Sequence, residues 1–244
     1  MRYFIQFAYR GSDFHGSQRQ PNGITVQEVL EAAFETILRE PTPVTFAGRT
    51  DAGVHAEYMV AHFDSDKDSS FLTGQLAARL NNLLPLSIAV ERIYPVADDL
   101  HARFSAKERT YEYRITTIKN PFTQGLRTRL APGLDYDKMN EAAQLLLGRQ
   151  DFASFCRVQT DVKTTFCTVQ EARWIIENDH EVTFRIRADR FLRNMVRAVV
   201  GTLIEVGRGK MTKQDFQKII AGKNRCLAGE SAPAEGLFLI NILY

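Results

Sequence analysis

Apolar positions recur along the chain in two rhythms, every second residue and every third or fourth, and the two alternate in blocks. Tyr3 to Tyr9 is rich in aromatic residues and predicts a strand, and Gly11-Ser12-Asp13 is a turn signal. Thr25 opens a helix, with Glu28 three residues on as a capping box. Val26, Val29, Leu30, Ala33, Phe34, Ile37 and Leu38 then fall in one stripe on a helix face, and Pro41 and Pro43 end it. Val44–Ala47 and Tyr58–Phe63 predict two short strands. Leu72, Leu76 and Leu80 mark a second helix stopped before Pro85, and Ser87–Tyr94 reads as a fourth strand. That order is β-α-β-β-α-β, the split βαβ plan, in which two helices cover one face of a mainly antiparallel sheet and leave the other face open.

The second half repeats the order. Thr110–Thr117 alternates Tyr111, Tyr113 and Ile115 against Glu112, Arg114 and Thr116, a strand period. Met139–Leu147 predicts a helix ended by Gly148, and Thr164–Ile176 and Val182–Ala188 predict strands around an Asn178-Asp179 turn. Phe191–Val206 predicts a long helix with Gly207 as its C-cap signal. A further helix over Thr212–Ala221 and a strand over Leu237–Leu243 complete the half. The expected architecture is therefore α+β, with two halves, residues 1–103 and 104–244. Their sheets would join edge to edge into one extended sheet bearing a broad cleft for a large ligand.

Composition narrows the class. The 244 residues are 44% hydrophobic and 25% charged, the balance of a globular protein. No apolar run reaches the length of a membrane span. The segment MRYFIQFAYR lacks the features of a signal peptide, so a cytoplasmic location is expected. Cys156, Cys167 and Cys226 are an odd number without a CxxC, and the five histidines make no HExxH pair, so neither a metal nor a disulfide framework is expected. The net charge of +2 conceals an asymmetry. Residues 1–103 carry 9 basic and 13 acidic side chains, a balance of −4, whereas residues 104–244 carry 22 and 16, a balance of +6. A basic second half points to a polyanionic partner.

Three groups of residues carry candidate chemistry. Gly48-Arg49-Thr50-Asp51-Ala52-Gly53-Val54-His55 lies between two short strands, so it is a loop on rigid supports. There Asp51 can act as a carboxylate catalyst kept ionised by Arg49; the plainer reading is an Asx-turn aspartate beside a surface arginine. Arg185, Arg187, Arg190, Arg193 and Arg197 form the second group. The first two share a strand face and the last three a predicted helix face, offset only by Asp189. The stripe suits phosphate contacts; the plainer reading is a solvated basic face. Arg197, set among Met195, Val196, Ala198, Val199 and Val200, calls for a buried partner, for which Asp51 or a phosphate would serve. In the third group, Tyr111 and Tyr113 interleave with Arg109 and Arg114, as on sheets that stack RNA bases, or else they are core tyrosines.

The octapeptide at 48–55 resembles the catalytic signature of the tRNA pseudouridine synthase A family. Tyr9 to Gln20, His101-Ala102-Arg103-Phe104-Ser105-Ala106, Asp151-Phe152-Ala153-Ser154-Phe155, Phe191 to Gly201 and Ala234-Glu235-Gly236-Leu237 are similar too, in family order. The resemblance implies an RRM/ferredoxin-like fold and a cofactor-free homodimer that isomerises uridines 38, 39 and 40 in the tRNA anticodon arm. It implies Asp51 as catalytic aspartate, Arg49 and Arg197 as arginines that pair with and position it, and Tyr111 as the tyrosine packed on the target base. It further implies RNA contacts from Gln18, Arg19 and Gln20, beside phosphate contacts expected of Arg190 and Arg193. Ser17 stands where many members have tryptophan, and Arg157–Lys163 departs from the family pattern.

The reaction breaks the N1–C1′ bond of a flipped-out uridine, turns the uracil and rejoins it at C5. The carboxylate would stabilise or bond to the sugar cation, attack uracil C6, or take a proton from C2′, and residue types do not choose among these. The competing readings are a non-catalytic RNA-binding protein of the same fold, and a hydrolase with Asp51 as nucleophile. The first leaves Arg49-Thr50-Asp51 without a reason; the second calls for a metal or a phosphate loop, neither of which is seen.

Overall fold

The computed structural model describes residues 1–157 and 164–244. Most of the Arg157–Lys163 segment lies outside the described residues. The protein is α+β, and its strand pairing is mainly antiparallel. It divides into two compact units, Met1–Lys107 with Leu239–Tyr244, and Glu108–Phe238.

The first unit contains β1 (Arg2–Tyr9), α1 (Val26–Leu38), β2 (Thr45–Phe46), β3 (His55–Asp64), α2 (Ser69–Gly74), α3 (Leu76–Leu83) and β4 (Ile88–Val96). Its strands lie in the order β4-β1-β3, with β2 also paired to β3, and these three pairings are antiparallel. Thr25 caps α1 by accepting the Glu28 N–H at 3.3 Å. The helix stops at Arg39, which turns left-handed at φ 62, two residues before Pro41. The one helix expected through Leu72, Leu76 and Leu80 is two, α2 and α3, parted at Gln75 after Gly74. All three leucines are buried, so the apolar repeat runs straight across the break and hides it; glycine weakens helix at that point.

The helix-covered face packs Phe63 against Phe34, with ring centroids 4.8 Å apart, and against Tyr3 at 5.6 Å. The opposite face, expected to be open, is closed around Phe4. That ring touches Tyr244 at 5.1 Å and Tyr94 at 6.0 Å and is 2% exposed. The residues after β4 complete this cover. Ala102 donates its N–H to His62 Nδ1 at 3.1 Å, and its carbonyl accepts the Tyr244 hydroxyl at 2.8 Å.

The second unit contains β5 (Glu108–Thr116), β6 (Thr128–Arg129), α4 (Tyr136–Ala143), β7 (Gly148–Asp151), β8 (Phe166–Ile176), β9 (Glu181–Ala188), α5 (Met195–Gly207) and α6 (Lys213–Gly222); β10 (Leu237–Leu243) begins in it and ends in the first. The order β5-β9-β8-β7 is antiparallel, and the two-residue β6 runs parallel to β5. The first unexpected strand is β6; the second is β7, because Gly148 does not merely end a helix but leads into that strand. One face of this unit carries its core, with Trp174 on Phe184 at 4.9 Å and Tyr113 fully buried. The other face is a lattice of charge. Glu112 accepts from Arg114 at 2.8 Å and Arg185 at 2.7 Å, Glu108 from Arg187 at 3.1 Å, and Glu171 from Arg173 at 2.7 Å.

A candidate active site on a clamped carboxylate loop

Asp51 sits in a loop tied by backbone hydrogen bonds on either side of it, at Thr50 and Val54. It is half-buried, between an exposed Ala52 and a buried Thr50. The Asp51 carbonyl accepts the Val54 N–H at 3.1 Å, closing a turn in which Gly53 takes φ +79, a conformation that glycine adopts without strain. Thr50 is held on three sides. Its N–H donates to Ser17 Oγ at 2.9 Å, its carbonyl accepts the Ser17 N–H at 3.2 Å, and its hydroxyl bonds the Tyr9 hydroxyl at 2.8 Å. Beyond the turn, His55 is 1% exposed and its Nδ1 accepts the Gly11 N–H at 3.1 Å. The octapeptide thus holds a half-buried carboxylate on a buried hydrogen-bonded base. That arrangement favours directed chemistry over a mobile surface turn.

The neighbouring predicted residues are placed unequally. Arg49 is exposed, beside the half-buried Asp51 it was expected to pair with. Arg49 lies in irregular chain and faces solvent, whereas Thr50 beside it is buried in its anchor. Gln18 is half-buried, and Arg19 and Gln20 are exposed. Arg19 lies along α1, with its Nε donating to Glu31 at 2.7 Å; the side-chain amide of Gln20 donates to the His15 carbonyl.

In the second unit the tyrosines separate. Tyr113 is core: its hydroxyl bonds Thr128 Oγ1 at 2.7 Å and the Pro233 carbonyl at 2.9 Å, and burial pushes its ionisation well up. Tyr111 is 9% exposed and meets Phe191 edge to face, with centroids 5.1 Å apart. Sequence reasoning missed Phe191 as a partner, although Phe191 opens one of the family-like segments. Arg197 is half-buried on α5. Its Nε donates to the Ala232 carbonyl at 2.7 Å, and the Ala232 N–H returns a bond to the Arg197 carbonyl at 2.9 Å. It is also close enough to Tyr113 for its charge to act on that phenol.

The arginine stripe needs correction. Helix α5 begins at Met195, not Phe191, so Arg190 and Arg193 lie in the link before it and do not share a helix face with Arg197. At the start of that link Asp189 Oδ1 accepts the Thr168 N–H at 2.8 Å and the Arg190 N–H at 2.7 Å. Asn194 then turns left-handed at φ 65 before the helix can start. Arg185 and Arg187 are offset by Glu112 and Glu108 rather than by Asp189 alone. Burial would raise the Glu112 carboxyl, but hydrogen bonds from Arg114 and Arg185 outweigh it and hold the group below the usual carboxylate range.

Among the described residues, no cluster of three or more His, Cys, Asp or Glu could hold a metal ion. No described helix is long and apolar enough to cross a membrane. Burial pushes the Cys167 thiol up to about 12, which makes it a packing residue and not a nucleophile.

The carboxylate loop belongs to the first unit, and the tyrosine–phenylalanine pair and the arginines belong to the second. The sequence profile of the tRNA pseudouridine synthase family matches residues 5–105 and 142–244, and the chain belongs to that family. It is 54% identical to tRNA pseudouridine synthase A of Bacteroides fragilis, a match covering 100% of this chain and 96% of the relative. It is 52% identical to tRNA pseudouridine synthase A of Parabacteroides distasonis over the same shares, and 41% identical to that of Bacillus licheniformis, covering 100% and 99%.

Proposed function

We propose that this protein isomerises uridine to pseudouridine at positions 38, 39 and 40 of the tRNA anticodon arm, with Asp51 as its catalytic carboxylate. The observation that carries the reading is the Thr50 anchor, which fixes the backbone one residue before the half-buried carboxylate. The full-length likeness to relatives named tRNA pseudouridine synthase A supports tRNA as the substrate.

Heterolysis of N1–C1′ develops positive charge on the sugar and negative charge on the uracil. A fixed carboxylate at C1′ stabilises the first. The freed base turns, C5 bonds to C1′, the C5 proton leaves, and N1 takes up a proton. The exchange is redox-neutral and calls for no cofactor. Tyr111, backed by Phe191, is the platform for the detached uracil. Arg49 and Arg197 are the arginines that the family resemblance assigns to positioning the carboxylate. Gln18, Arg19, Gln20, Arg190 and Arg193 are assigned to the RNA backbone. A homodimer would let one subunit grip the tRNA body while the other modifies the loop.

The test is unmodified tRNA carrying tritium at uracil C5. Tritium release without free uracil or strand cleavage, lost when uridines 38, 39 and 40 are replaced by cytidine, is the expected result. Release that persists after that replacement refutes the anticodon-arm assignment, and free uracil refutes the isomerase.

A further inference from the structure

Ser17 occupies a position where a side chain of this size and chemistry does something a larger one could not. It is fully buried. Its N–H and its Oγ take both polar backbone atoms of Thr50, the first donating to the carbonyl at 3.2 Å and the second accepting the N–H at 2.9 Å. Its own carbonyl accepts the Gln27 N–H at 3.0 Å, so the clamp is bolted to the start of α1. Gly16, at φ +91, makes the approach possible: a Cβ there would stand 2.9 Å from the Thr50 carbonyl oxygen. Tyr9 completes the hold through the Thr50 hydroxyl at 2.8 Å. Thr50 therefore has its N–H, carbonyl and hydroxyl all engaged by residues 9–17, and the next residue is Asp51.

We infer that Ser17 is a positioning residue for the reaction: with Tyr9 it locks Thr50 and thereby sets the direction and depth of the Asp51 carboxylate. The inference rests on Asp51 being the catalytic carboxylate. Tryptophan at position 17 could supply the same backbone N–H but no oxygen for the Thr50 N–H. The serine in this chain is thus a different solution to holding the loop, and not merely a smaller filler. A buried N–H left without an acceptor is unfavourable enough for the loop to shift, and a shift on the order of 1 Å at a reacting group is enough to slow chemistry about 10²-fold.

The experiment measures the single-turnover rate at saturating enzyme, the tRNA dissociation constant at one salt concentration, and the thermal melt, for wild type, Ser17→Ala, Ser17→Thr, Tyr9→Phe and Asp51→Asn. Ser17→Ala should lower the single-turnover rate by about tenfold to a hundredfold with affinity within about twofold of wild type, as expected when only chemistry is misaligned. Ser17→Thr, which restores the oxygen, should recover most of the rate. Tyr9→Phe should slow the step in the same affinity-neutral way. A cooperatively melting Ser17→Ala with a wild-type rate overturns the inference, as does a parallel loss of rate and affinity. If Ser17→Ala does not fold, an unaltered rate in Tyr9→Phe overturns it instead. Asp51→Asn separates the two levels: if it keeps turning over, the Asp51 reading itself has failed, whereas an inactive Asp51→Asn beside a fully active Ser17→Ala removes the clamp alone.

Discussion

The loop around Asp51 and the link around Arg190 are both short irregular segments next to rigid elements, and they are built on opposite principles. In the first, side chains and backbone from Tyr9 to Ser17 close on Thr50 with buried hydrogen bonds, so a charged group is held on a stiff base. In the second, Asp189 binds backbone amides and Asn194 turns left-handed, which holds Arg190 and Arg193 off the helix and displays them on an irregular strand-to-helix connection. The first arrangement suits chemistry, where direction matters; the second suits phosphate contacts, where reach and charge matter more than angle.

The largest effect that could break this comparison is at Asp51. Asp51→Asn keeps the shape of the side chain, so the Thr50 anchor and the Gly53 turn should persist, but it removes the charge. Turnover should fall by about 10⁴-fold, the scale seen when an essential catalytic group is lost, while tRNA affinity stays within a fewfold. Tritium release and affinity measured on the same preparation decide it. Residual turnover within tenfold of wild type would sink the assignment.

A second prediction concerns the cover on the first unit. His62 is buried, and burial, with the nearby Arg2 and His101 charges, pushes its pKa down from 6.5 to about 4 despite Asp64. Its Nδ1 accepts the Ala102 N–H, which requires that nitrogen unprotonated. Between pH 6.5 and 4 the unfolded chain therefore binds a proton that the folded one refuses, so stability falls as pH falls through that window. The loss should be on the order of 2 kcal/mol. Denaturant melts at pH 7 and pH 4.5 measure it, and His62→Asn, which keeps an acceptor for Ala102, should flatten the dependence. An equal slope in wild type and variant would show that other groups cause it.

Tyr111 tests the second unit's side of the comparison. Tyr111→Phe keeps the ring that faces Phe191, and Tyr111→Ala removes it. Stacking predicts near-normal binding in the first and a loss of about 1–3 kcal/mol in the second. Unchanged binding with abolished turnover in Tyr111→Phe would instead assign the hydroxyl to proton transfer.

How much of this was readable in advance follows from the range of the interactions. The helix expected over Thr212–Ala221 is found as α6, Lys213–Gly222, with Thr212 and Asp215 forming a reciprocal capping box at its start, because such a start is decided within four residues. Strand β10 spans Leu237–Leu243 as its apolar run implies. The two strands beside the octapeptide were legible from local pattern, although β3 begins at His55, the octapeptide's last residue, three residues before the expected Tyr58. The start of α5 was not. Phe191 and Leu192 continue the apolar period, but Asn194 is left-handed at φ 65 and breaks the helix there, and Asp189 ties the start of the link to the Thr168 amide, 21 residues away in sequence. The charge lattice was equally hidden, since Arg185 meets Glu112 only through the β5–β9 register. Ser17 was visible as a departure from the family pattern, but its bond to Thr50 joins residues 33 apart and no local rhythm encodes it.

The smallest effect sharpens the comparison most, because it sets apart arginines that look alike in sequence. Arg185 is bound through Nε and Nη2 to Glu112, an 8% exposed carboxylate that also takes Arg114. Arg190 and Arg193 lie in the link before α5. If that link grips phosphates, Arg190→Ala and Arg193→Ala should each weaken tRNA binding and flatten its dependence on log salt by about 0.7–0.9 for every phosphate no longer neutralised. Arg185→Ala should leave the slope nearly unchanged and act on stability instead, by about 1 kcal/mol, because Glu112 keeps Arg114 but loses one of two partners at a partly buried site. Binding isotherms at several salt concentrations, with melts on the same samples, give both quantities. A flattened slope in Arg185→Ala would mean that the lattice opens to take RNA, and the division between a structural and an RNA-binding set of arginines would then be wrong.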